Sequence, residues 1–140
     1  WDEVTRDVSY IGDAVLHVGY DTSMDVANDP ILFDEWRGTT ESYKNNFNKD
    51  FAIAYDRQIC LKDGMYAITI GTISRTTDVA GAHAGIKING VAVHIGHTNT
   101  HGQGTVGTTI NIQLKRGDYV QGTGKWHGGF TYSTYSIRRI

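Results

Sequence analysis

Apolar side chains recur at every second position through most of the second half of the chain. Val106, Thr108, Ile110, Ile112 and Leu114 form the cleanest such run. Successive side chains of a strand point to opposite faces, so a period of two predicts a strand with one face in a core. Tyr66, Ile68 and Ile70 repeat the pattern within 65–73, and Ala84, Ile86 and Ile88 repeat it again. Asn89-Gly90 follows, and Val91, Val93 and Ile95 read as a returning strand. That combination predicts a hairpin, because Asn and Gly accept the positive φ of a two-residue turn. Residues 58–61 read as a short strand closed by Lys62-Asp63-Gly64. Lys115-Arg116-Gly117-Asp118 is expected to turn the 106–114 run into Tyr119-Val120, and 130–140 to be the last strand.

The first half patterns less sharply. Residues 13–20 alternate weakly, and Ile31-Leu32-Phe33 is a short apolar run expected to enter the core as a strand. Residues 39–50 are polar and read as a loop. Phe51, Ile53 and Tyr55 fall on one side of a further short strand. Two glycine-rich stretches, 96–104 and 122–129, carry no repeating apolar pattern and read as loops. Composition strengthens the strand reading: 14 Ile, 10 Val and 16 Thr stand against 4 Leu, and β-branched side chains suit a pleated sheet. There is no helix of ordinary length, no internal repeat and no linker. One all-β domain over 1–140 is expected, and short strands separated by regular turns favour a sandwich or jelly roll.

Four segments of this pattern, in order, resemble the C1q-like domains. Asp63-Gly64-Met65-Tyr66-Ala67-Ile68 is similar to that family's G-x-Y-x-F strand, with Ile68 at the Phe position. Ile86-Lys87-Ile88-Asn89-Gly90 is similar to its apolar strand ending in an Asn-Gly hairpin. The stretch from Ile110 to Val120 is similar to its L-x-x-G-D-x-V strand–turn–strand. Tyr132-Ser133-Thr134-Tyr135-Ser136-Ile137 is similar to its terminal S-x-F-S strand, with Ile137 where animal members carry Gly. The match spans 50–140. The ending Tyr135-Ser136-Ile137-Arg138-Arg139-Ile140 most resembles versions at the tips of bacteriophage tail fibres and tailspikes. The resemblance implies a C1q/TNF-like jelly-roll β-sandwich of about ten antiparallel strands, assembled as a homotrimer, at the C-terminal end of a longer chain. It implies a virion or extracellular location and a recognition head that binds a bacterial surface glycan or protein. Two alternatives remain: a structural trimerisation cap of a fibrous protein, and an extracellular C1q-like ligand for a protein partner.

Charge and candidate chemistry refine this expectation. The formal net charge is −2 and the basic residues are scattered, which disfavours a nucleic-acid surface. No apolar run is long enough for a membrane-spanning helix. Cys60 is the only cysteine, so no disulfide forms within the chain; between Ile59 and Leu61 it reads as a buried apolar residue. No nucleophile elbow or phosphate-binding loop is present, so no enzyme is expected. His94, His97 and His101 fall within one glycine-rich region and offer imidazoles to a metal ion, in one chain or across a trimer axis. No carboxylate lies between Asp78 and Asp118 to assist them, and a polar surface loop is the simpler reading, so no cofactor is expected. Arg116-Gly117-Asp118 spells an adhesion tripeptide but stands where a turn needs Gly and Asp. Loops presented by a rigid scaffold carry recognition, so Lys125, Trp126 and His127, with His97, Asn99 and His101, are the candidate contact residues. For Trp126 the competing reading is packing inside the sandwich or between subunits.

Overall fold

The computed structural model describes residues 15–19, 30–33, 35–36, 50–73, 83–97, 105–126 and 133–140; at 15, 17–19, 35, 36 and 97 it describes the backbone only. Ten strands are present among these residues: β1 (Val15–Gly19), β2 (Glu35–Trp36), β3 (Phe51–Ile53), β4 (Gln58–Cys60), β5 (Gly64–Ile73), β6 (His83–Ile88), β7 (Val91–His97), β8 (Thr105–Leu114), β9 (Tyr119–Gly124) and β10 (Thr134–Arg139). They form two five-stranded antiparallel sheets, ordered β2-β1-β10-β5-β8 and β3-β4-β9-β6-β7, with a core between them. The protein is thus an all-β sandwich.

The period-two runs explain the first sheet. Along β5, Tyr66, Ile68, Ile70 and Thr72 are buried, and their register partners on β8 are Ile112, Ile110, Thr108 and Val106. Tyr135 and Ile137 of β10 join the same inner row opposite Ile70 and Ile68, and Leu16 joins it through Ile137. The outer face is built from the alternate residues. Ala67, Thr69 and Gly71 stand beside Asn111, Thr109 and Gly107 on β8, and beside Arg138, Ser136 and Thr134 on β10. Thr69 and Thr109 share a hydroxyl–hydroxyl hydrogen bond of 2.8 Å.

The Asn89-Gly90 turn forms as expected, with φ of 52° and 83°. The 115–118 turn also forms, and Gly117 takes a φ of 97°. Two expectations are corrected. Residues 31–33 do not make a strand: Pro30 makes an isolated bridge to Thr123, and the Ile31 amide donates to the Gly122 carbonyl at 2.8 Å. Ile31 and Phe33 nevertheless enter the core. Residues 122–124, read as the start of a glycine loop, are strand: Gly122, Thr123 and Gly124 pair with Ile86, Gly85 and Ala84. Their small size is a packing requirement. A Cβ on Gly122 would stand 2.8 Å from the Tyr135 ring and 3.3 Å from Ile70.

Polar contacts join the two sheets across the core, one of them from Thr72 Oγ1 to the His83 carbonyl at 3.0 Å. Tyr135 donates to Gln58 Oε1 at 2.6 Å, and burial pushes the phenol well above its usual range, so it remains a donor. Phe33 stacks on the same ring at 4.5 Å and 19°. Tyr135→Phe keeps the packing but removes the donor from a buried acceptor. A loss of about 1–3 kcal/mol in folding stability is expected, read from the urea midpoint.

Candidate recognition surface

Trp126 follows β9 and is fully buried, its ring edge-on to Phe33 at 5.3 Å and 83°. Lys125 is 2% exposed, and its amide donates to the His83 carbonyl at 3.1 Å. Neither side chain offers a contact surface, so the recognition role expected for both gives way to packing. The reason is local: glycines at 122 and 124 let β9 stay paired beside β6 to Gly124 instead of leaving the sheet. His97 lies in register with His83, with its backbone alone described. Asn99, His101 and His127 lie outside the described residues.

Of the three candidate metal ligands, His94 alone has its side chain among the described residues. His94 pairs with Ile86 and is partly buried, whereas position 97, an odd number of places along β7, belongs to the opposite face. No group of three His, Cys, Asp or Glu suited to a metal ion occurs among the described residues.

Arg116-Gly117-Asp118 is occupied by its own corner. Asp118 Oδ2 accepts from the Lys115 amide at 2.9 Å, and Oδ1 accepts from Asn89 Nδ2 at 3.1 Å. The Lys115 amide, then the Asn89 side chain, hold the carboxyl below its usual range. Arg116 Nη1 donates to the Leu61 carbonyl at 3.2 Å. An adhesion motif needs a free acid and a free guanidinium, and here both are engaged. Cys60 is fully buried; burial raises its thiol, which donates to the Lys62 carbonyl at 3.2 Å. It behaves as a small core residue.

Two exposed features carry more interest than the residues singled out above. The first is the flank where β7 and β8 are the edge strands of the two sheets. Val91, Val93 and Ile95 are 66%, 45% and 63% exposed. The register of β6 with β7 breaks between Ile86 and Lys87 and skips Val93. Val91 pairs with Ile88 and Ile95 with Gly85, on either side of this bulge, and all three apolar residues stand in solvent on the edge strand. On β8, Val106, Ile110 and Ile112 face inward yet remain partly exposed, so the mouth of the sandwich is apolar along this side. The sequence signal was present in the alternation of β7, but alternation alone reads as a core strand.

The second is the β3–β4 turn, closed by the Ala54 amide on the Arg57 carbonyl at 2.9 Å. Tyr55 at its tip is 79% exposed. Arg57 lies over the Tyr119 ring at 4.2 Å and donates to Asp56 at 2.8 Å, and this bond holds the Asp56 carboxyl below its usual range. Gln121 also reaches Asp56, at 3.3 Å.

Among the described residues no helix is long and apolar enough to cross a membrane. Set against known proteins, the chain matches no family model and no curated protein.

Proposed function

We propose that the chain is a C1q-like jelly-roll head that assembles as a trimer and recognises a bacterial surface glycan or protein at the tip of a bacteriophage fibre. The strand order carries this reading. β6 pairs with β7, β5 with β8, β4 with β9 and β1 with β10. These pairs nest, as they do when one long antiparallel ribbon is rolled up, which is the winding of a jelly roll. The apolar β7–β8 flank supports the assembly. Single exposed apolar residues are ordinary, but a row of aliphatics on an unpaired edge invites association. The outer face of β5, β8 and β10 offers a second copy a matching surface, since Arg138 is the one charge on its described central positions. Repeating one edge-to-face contact about a three-fold axis closes a ring and covers the β7–β8 edge of every copy. Three weak sites on such a head raise avidity without tight single contacts.

The experiment is the molar mass of the chain by light scattering, for wild type and Ile95→Asp. Wild type is expected at three chains at micromolar concentration, and the variant at one chain with unchanged circular dichroism. A monomeric wild type sinks the trimeric head. Recognition is tested by attachment to host cells after substituting His97, His101 and His127 by Ala.

The burial of Lys125 and Trp126 favours a second reading, in which the head only registers and caps a fibre. Under that reading the histidine variants attach as wild type does, while Ile95→Asp disrupts both assembly and attachment.

A further inference from the structure

Asn followed by Gly is the dipeptide most open to self-modification, because glycine has no side chain to shield its backbone nitrogen from the preceding amide. Asn89-Gly90 is the single Asn-Gly pair in the chain. Both residues are exposed at the tip of the β6–β7 hairpin. The Asn89 side chain does not hang in solvent, however. Its Nδ2 donates to Asp118 at 3.1 Å, and its Oδ1 accepts from the Tyr119 amide at 3.0 Å. Its own backbone amide donates to the Tyr119 carbonyl at 2.9 Å. These bonds hold the carboxamide against the start of β9. They also join the hairpin tip to the turn at 115–118.

We infer that Asn89 is a spontaneous deamidation site which the closed corner protects, and that its conversion undocks the hairpin from the 115–118 turn. In the reaction the Gly90 nitrogen bonds to Asn89 Cγ and the Cγ–Nδ2 bond breaks. Nδ2 leaves as ammonia, carrying the proton that the Gly90 nitrogen loses. Water then opens the cyclic imide, giving aspartate or isoaspartate at position 89, and the new acid releases its proton. Only water is consumed. The product replaces a donor to Asp118 with a second carboxylate at hydrogen-bond distance, so attraction becomes repulsion between like charges. The reaction cannot reverse, and a corner that has opened long enough to react closes less well afterwards.

The test compares the intact protein with the same protein in urea, at one mildly alkaline pH. Isoelectric focusing and peptide mass at Asn89 are followed over time. Loss of the amide is expected to be roughly tenfold or more slower in the folded protein, since the corner must first open. Equal rates would overturn the protection. Asn89→Asp reproduces the product and is expected to lower the melting temperature by about 5 °C. Asn89→Asp combined with Asp118→Asn exchanges donor and acceptor across the same gap and is expected to restore most of that loss. A single variant that melts with wild type, or a double variant no better than the single one, overturns the undocking. If the single variant does not fold, the double variant decides: its folding supports the proposal and its failure refutes it.

Discussion

Trp126→Ala is expected to lower folding stability by about 3–5 kcal/mol, among the largest effects of any single truncation here. The indole is fully buried and packs edge-on against Phe33, which in turn stacks on Tyr135. Removing it deletes the largest fully buried side chain among the described residues and leaves a cavity beside Phe33. Chemical denaturation followed by far-UV circular dichroism reads the loss directly. Tyr55→Ala is the internal comparison. It removes an aromatic that is 79% exposed and is expected to change stability by at most about 0.5 kcal/mol. A Trp126→Ala protein with wild-type stability would refute the packing described here.

Gly124→Ala is expected to abolish cooperative folding, or to leave a protein that melts without a defined transition. Gly124 has a φ of 132° and pairs with Ala84 of β6. A Cβ there collides with the carbonyl oxygen of His83, and it would stand 2.8 Å from His83 C and 3.0 Å from Ala84 Cα. All three obstacles are backbone, so no side chain can swing aside. The conformation alone costs an alanine about 1–3 kcal/mol, and relieving the clash requires β9 to part from β6 at the centre of the sheet. Gly117→Ala separates the two contributions. Gly117 also has a positive φ, of 97°, but nothing lies within 4 Å of its added Cβ. Its variant is expected to lose only about 1–2 kcal/mol. Equal losses at the two positions would mean that the approach of the His83 carbonyl is not what demands glycine at 124.

These two positions also show where reading along the chain succeeds and where it stops. The run from Val106 to Leu114, the Asn89-Gly90 turn and the Gly117 turn are legible because their signals are local. A period of two and a need for positive φ are properties of neighbouring residues. Residues 122–126 mislead for the same reason. Glycine at 122 and 124 looks like loop punctuation, but each is small to admit a distant group: Tyr135 at the first and the His83 backbone at the second. No window along the sequence contains those partners. Trp126 beside this glycine-rich stretch therefore left display and packing both open along the sequence, and the tertiary structure buries it against Phe33.

The histidines follow the same logic. His94 and His97 are close in sequence, but once β7 is a strand their separation places the two positions on opposite faces. Alternation likewise marked Val91, Val93 and Ile95 as a strand, yet it says nothing about whether that strand is central or at an edge. The sheet order places it at the edge, where its apolar residues stand exposed.

What the amino-acid sequence determined by itself was the all-β class, the turns and most strand limits in the second half, because these depend on backbone preference and on the alternation of neighbouring side chains. What only the tertiary structure decided was which strands lie side by side, which glycines make room and which aromatics are inside. Those depend on contacts such as Tyr135 with Gln58, 77 residues apart, whose meeting is set by the packing of two whole sheets.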